Sequence, residues 1–173
     1  MTALASTTHT LTGVQSTDLL ETAAIPIDLP TTTYGLLYRL VTPGLAAGDL
    51  LDISAMARVT NDAGYPAGTR YTVGVGWHLW AYSYTDPRRS SGPWWRISHL
   101  MGDNVTPDRH HMPLALDTLY QVPEEYDGHR LAICLRADAH STAWASNGGS
   151  DNLTVDAGYG QLIVRRWTRP PAA

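Results

Sequence analysis

The sequence has no lysine, no phenylalanine and a single cysteine, Cys134, in 173 residues. Each absence closes a route. Without lysine there is no Schiff-base chemistry and no attachment point for pyridoxal phosphate. There is also no Gly-Lys step to complete a phosphate-binding loop. One thiol can form neither an internal disulfide nor a cysteine metal cluster. Twelve arginines carry all the strong positive charge against 13 Asp and 3 Glu, leaving a net charge of −4. That lacks the basic footprint of a nucleic-acid binder, and no polybasic stretch marks a membrane surface. No apolar run approaches the ~18 residues of a membrane span. The opening MTALASTTHTLTGVQ has neither the basic stretch nor the continuous apolar run of a secretory signal, so no export signal is expected there. Lysine and phenylalanine are both written with AT-rich codons, and their joint absence points to a high-GC genome.

What is present is a globular composition. Hydrophobic residues make up 43%, enough for a core, and one domain is the expectation at ~100–200 residues per domain. Charge is unevenly placed. Residues 1–38 hold Asp18, Glu21 and Asp28 and no arginine, whereas the far end carries Arg165, Arg166 and Arg169. Residues 1–33, rich in Thr, Ser and Ala with Pro26 and Pro30, read as an extended N-terminal arm, with one short helical turn at residues 16–21 capped by Ser, Thr or Asp. Residues 34–169 read as the folded domain and 170–173 as a C-terminal tail.

From Tyr34 onward the apolar pattern has period two. Candidate strands are Tyr34–Val41, Asp49–Thr60, Arg70–Tyr84, Trp94–Leu100, Asp108–Leu116, Arg130–Asp138, Asn152–Asp156 and Tyr159–Trp167, with a short segment at Tyr120–Glu125. Turns are expected at Asn61–Gly64, at Gly102–Asn104 and at Asp127–Gly128. Pro113 favours an edge for its strand. About nine short strands with no amphipathic helix predict an all-β protein. The expected architecture is an antiparallel two-sheet β-sandwich, jelly-roll-like, preceded by the arm.

The search for chemistry is mostly negative. There is no Gly-x-Ser-x-Gly elbow; Asn147-Gly148-Gly149-Ser150-Asp151 lacks the spacing. His110 and His111 are adjacent, so on a strand they point to opposite faces and cannot readily share one ion. One of them could join His99, Asp108 or His140 in space, but one buried and one exposed imidazole is the expectation. The aspartates offer many carboxylates and no specific pair for glycoside hydrolysis, and Glu124-Glu125 reads as solvated. Cys134 alternates with an apolar strand face and reads as a packed side chain. Neither catalysis nor a cofactor is expected.

The aromatics are more informative. Trp77, Trp80, Tyr82, Tyr84, Trp94 and Trp95 crowd residues 77–95. Period two puts Trp80 and Tyr82 opposite Trp77, yet a sandwich buries only one face of each sheet. Trp80, Tyr82, Trp94 and Trp95 are therefore candidates for a subunit contact or a ligand surface.

Several segments together resemble the β-sandwich structural proteins of tailed bacteriophages: Ala47-Gly48-Asp49-Leu50-Leu51, Val59-Thr60-Asn61, Gly102-Asp103-Asn104-Val105-Thr106-Pro107 with His110-His111, and Gly158-Tyr159-Gly160-Gln161-Leu162-Ile163-Val164. Such proteins include capsid decoration (cement) proteins and fibre or appendage head domains, often trimeric. The resemblance implies a non-enzymatic virion component on the capsid exterior, made in the cytoplasm of a high-GC host such as an actinobacterium. Its expected partners are the major capsid protein and further copies of itself as a homotrimer, with no nucleic acid and no membrane. The acidic arm at Asp18, Glu21 and Asp28 and the basic end at Arg165, Arg166 and Arg169 are the expected contact charges. The alternative within the resemblance is a fibre head that binds a host glycan through exposed aromatics.

Overall fold

A computed structural model describes residues 9–17, 25–26, 35–61, 73–84, 94–105, 112–140 and 153–169. Within them run nine strands: β1 (Thr10–Ser16), β2 (Ile25–Pro26), β3 (Gly35–Val41), β4 (Leu50–Asn61), β5 (Val73–Ser83), β6 (Trp95–Val105), β7 (Met112–Gln121), β8 (Leu131–His140) and β9 (Leu153–Thr168). They form two sheets. The first has the order β1-β9-β4-β7, with β2 also paired to β9; the second has the order β3-β8-β5-β6. All pairings are antiparallel. The chain is an all-β two-sheet sandwich.

The pairing is nested. β5 pairs with β6, β4 with β7, β3 with β8 and β1 with β9, as in one long hairpin whose tip is β5–β6. Two further pairings, β4 with β9 and β5 with β8, roll that hairpin up.

Alternation sets the core. Leu51, Ile53, Ala55, Ala57 and Val59 of β4 are buried, and they face Val75, Trp77, Leu79 and Ala81 of β5 together with Leu131, Ile133, Leu135 and Ala137 of β8. Each large aliphatic side chain fully withdrawn from water contributes roughly 1.5–3 kcal/mol. The outward residues of β4, Asp52, Ser54, Met56 and Arg58, remain partly or fully exposed. Pro113, which can donate no ladder hydrogen bond, lies on β7 at the edge of the first sheet.

Three local expectations change. Gly102–Asn104 is not a turn: β6 continues to Val105, because Val73 and Val75 of β5 pair with Val105 and Gly102 across a register shift. Cross-strand pairing here outweighs local turn preference. The segments expected as two closing strands form the single strand β9, whose irregularity opposite Ala57–Val59 is carried by Gly158 (φ 75°) and Gly160 (φ 140°). Glycine enters these backbone regions without a Cβ clash, so a bulge replaces a break. Tyr120 belongs to β7, and Glu124–Tyr126 is one turn of 3-10 helix.

Residues 10–16, within the stretch read as an arm, are the outer strand of the first sheet, paired with Ile163–Thr168. The strand is tied off at Thr17, whose N–H donates to the Leu162 carbonyl at 2.9 Å and whose hydroxyl oxygen accepts from the Leu162 N–H at 3.0 Å. Asp18, Glu21 and Asp28 lie outside the described residues.

Candidate functional site

The outward face of the second sheet carries the densest chemistry. Trp80 and Tyr82 project from β5 on the side opposite Trp77, as the alternation predicts. Next to them on β8 are Ala132 and Cys134, both fully buried. Tyr82 packs on these two and on Val41, which makes a small second core outside the main one. Its ring centre lies 4.3 Å from that of Trp94 and 6.4 Å from that of Tyr84. Much of what the sequence marked as an unexplained second aromatic face is thus closed by the chain's own rings. Trp94 and Tyr84 stay 37% and 44% exposed, and Trp80 is half-buried.

Arginines accompany the rings. The Arg136 guanidinium lies 5.3 Å from the Trp94 ring centre and that of Arg130 lies 5.4 Å from the Tyr84 ring centre, within reach of cation–π attraction. His78 and His99, cross-strand neighbours on β5 and β6, hold their rings nearly parallel with centres 6.2 Å apart. Burial pushes the Cys134 thiol up to about 11, although Arg39 and Arg136 nearby pull the other way. It is therefore a protonated, packed group, in keeping with its place on the strand.

Trp95 does not join this face. It sits on the opposite side of β6, packed against the main core and stacked on Tyr126 at 4.5 Å with an interplanar angle of 8°. The reason is its place one residue after Trp94, which alternation turns inward.

The basic end is engaged within its own chain. Arg166 pairs with Asp49 at 2.7 Å and donates to the Gly44 carbonyl at 3.0 Å. Arg165 pairs with Asp52 at 3.5 Å and donates to the Ser54 hydroxyl at 3.1 Å. Arg169 is exposed. Beside Arg166, a cleft of about 210 Å³ opens between β1 and the loop before β4, floored by Leu45, Leu51 and Val164. His110 and His111 lie outside the described residues, and among those described no three metal-ligating side chains converge.

The face so assembled offers flat rings and guanidinium donors. Its arginines, Arg39, Arg96 and Arg136, come from three different strands, and only the sheet register brings them together. The sequence signal for them was the alternation that sets Arg136 two positions from Cys134; the neighbouring strand's contribution cannot be read from one chain. Compared with known proteins, the chain matches no family model, and no curated protein aligns with it significantly.

Proposed function

We propose that this chain is a non-enzymatic structural protein of a tailed-bacteriophage virion, a capsid decoration protein that binds the assembled shell as a homotrimer. The observation that carries the reading is the nested strand pairing. A long hairpin rolled into sheets ordered β1-β9-β4-β7 and β3-β8-β5-β6 supports a jelly roll, an architecture recurrent in viral capsid and lectin domains. The step from fold to role is analogy; the surface adds physical support. Trp94, Tyr84 and the arginines beside them are residue types enriched at protein interfaces. A stable contact there needs roughly 800 Å² per partner. A subunit that binds the assembled shell in preference to its free parts stabilises that shell by mass action. The test is the mass of the purified protein in solution together with its presence on purified particles. Three times the chain mass of 18.9 kDa and retention on shells are expected. A monomer that does not bind shells overturns the reading.

A second reading draws on the same exposed surface. The exposure of Trp94 and Tyr84 beside Arg136 and Arg130 suits a fibre or appendage head domain that binds host surface glycans. A glycan array without hits removes it.

A further inference from the structure

We infer that the outward face of the first sheet is the surface through which copies of this chain associate, the β1–β9 half of one copy against the β4–β7 half of the next. The inference rests on the self-association in the proposed role and deepens it by naming the contact. It leaves the face around Trp94 and Tyr84 to the shell.

Exposure singles out this face. Among the described residues the exposed large hydrophobic side chains are Leu11, Val14, Met56, Leu119 and Tyr159 on this sheet, and Tyr84 and Trp94 beside the other. Pairing turns the first group outward. Leu11 and Val14 lie opposite Trp167 and Arg165, Met56 opposite Gln161, and Leu119 opposite Asp52. All are on the side away from the buried Leu51, Ile53, Leu162 and Val164. The Tyr159 ring lies under the outward Arg58. Leu119 is 69% exposed and Val14 58%. An apolar side chain exposed singly needs no partner, but a group of them gathered on one sheet face marks an interaction surface.

Register makes the two halves of the face complementary. One row across the sheet reads Val14, Arg165, Asp52, Leu119. An apolar side chain stands at each edge, with the cation on the β9 side and the carboxylate on the β4 side. The β1–β9 half carries Arg165, with Arg169 following it, and the β4–β7 half carries Asp52 and Asp117. The other described charges of the face, Arg58 and Asp156, neutralise each other. Asp117 and Arg169 are exposed and make no ion pair among the described residues. Arg165 already holds Asp52 at 3.5 Å, and each side chain keeps about a third of its surface open, so a neighbour extends that pair into an alternating row. Three copies with these strands alongside a common three-fold axis set one half against the other at the same level. Val14 of one copy then meets Leu119 of the next, and Arg165 meets Asp52. The net charge of −4 makes copies repel in general, and opposite signs on the two halves offset that repulsion here. Four strands ~4.8 Å apart, followed from Leu50 to Arg58 at ~3.4 Å per residue, give a face of roughly 19 by 27 Å, or about 500 Å² in plan. Side-chain relief brings its accessible area toward the ~800 Å² per partner of a stable contact.

The experiment uses the full chain, with light scattering behind size-exclusion chromatography. Wild-type protein is expected at three times the chain mass. Val14→Glu and Leu119→Glu are expected at the chain mass of 18.9 kDa, with melting still cooperative, whereas Trp94→Glu keeps the assembly. A covalent readout runs beside it. Val14 and Leu119 stand on opposite edges of the sheet, three strand spacings or roughly 14 Å apart, too far for a disulfide within one chain, and the native Cys134 is buried. The double variant Val14→Cys with Leu119→Cys should therefore give covalent multimers on mild oxidation, and neither single variant should. If wild-type protein assembles but the glutamate variants keep its mass, or the double variant forms no covalent multimer, the inference fails and the trimer reading stands. Cross-linking in either single variant also overturns the pairing of unlike halves. Covalent pairs in a protein of twice the chain mass keep this face and overturn the trimer. A wild-type monomer overturns both.

Discussion

Asp49 and Arg166 meet at 2.7 Å, with the aspartate side chain only 3% exposed and the arginine 25%. The same carboxylate oxygen accepts the Ala46 N–H at 2.9 Å, so one group closes the loop before β4 and ties it to β9. Removing a single partner of a largely buried pair strands the other charge. Asp49→Ala should therefore cost about 2–3 kcal/mol in urea denaturation. Arg165 and Asp52, about one-third exposed and 3.5 Å apart, are a solvated pair, and Asp52→Ala should cost within ~0.5 kcal/mol. Equal costs at the two sites would contradict this ranking.

Gly160 has no room for a side chain. A Cβ there would lie 2.8 Å from both the Met56 carbonyl oxygen and the Tyr38 hydroxyl, at φ 140°. Gly160→Ala should destabilise by about 2–4 kcal/mol, since both the backbone region and the contacts resist it. Gly13 in β1 has nothing within 4 Å of its notional Cβ. Gly13→Ala should be neutral or stabilise by up to ~1 kcal/mol, by restricting the unfolded chain. Thermal melts of the two variants check both expectations.

The Cys134 thiol, raised by burial from 9.0 to about 11, gives a pH dependence of known sign. An acid with a raised folded-state pKa keeps its proton in the native protein where the unfolded chain has lost it. Stability is then full below pH 9 and falls as pH rises toward 11, by about 2 kcal/mol from this group. In Cys134→Ala that part of the alkaline slope should vanish. A thiol reagent at pH 8 should label native wild-type protein far more slowly than protein in guanidinium chloride; equally fast labelling would show that the thiol is accessible.

Neighbouring tryptophans should behave oppositely. Trp95 packs on the main core and on Tyr126, so Trp95→Ala should cost about 3 kcal/mol or more. Trp94, 37% exposed, holds a tilted contact with Tyr82 and a cation–π contact with Arg136. Trp94→Ala should cost about 1 kcal/mol while removing whatever the outward face binds. Denaturation midpoints and the glycan array separate the two roles.

The sandwich was legible because β4 alternates strictly and the branched aliphatic side chains of β5 and β8 all fall on one face, so the pattern identifies the core face of Ile53, Trp77 and Ile133. Where local turn residues disagreed with pairing, the sequence misled. Gly102–Asn104 continue a strand because β5 supplies partners, and Gly158 and Gly160 bend a strand without ending it. The outward placement of Trp80 and Tyr82 was also legible, from period two. That Tyr82 is then covered by Trp94, and that Trp95 turns inward, depends on β6 pairing with β5, a contact between segments separated by a loop. The pairing of Arg166 with Asp49 spans 117 positions of sequence, and no local pattern marks it.

The most direct test of the proposal that this chain is a virion component is its copy number in purified phage particles, by quantitative mass spectrometry against the major capsid protein. A decoration protein is predicted to be present in hundreds of copies, in fixed ratio to the shell subunit. A count of a few tens or fewer, or absence from the particle, would contradict the account.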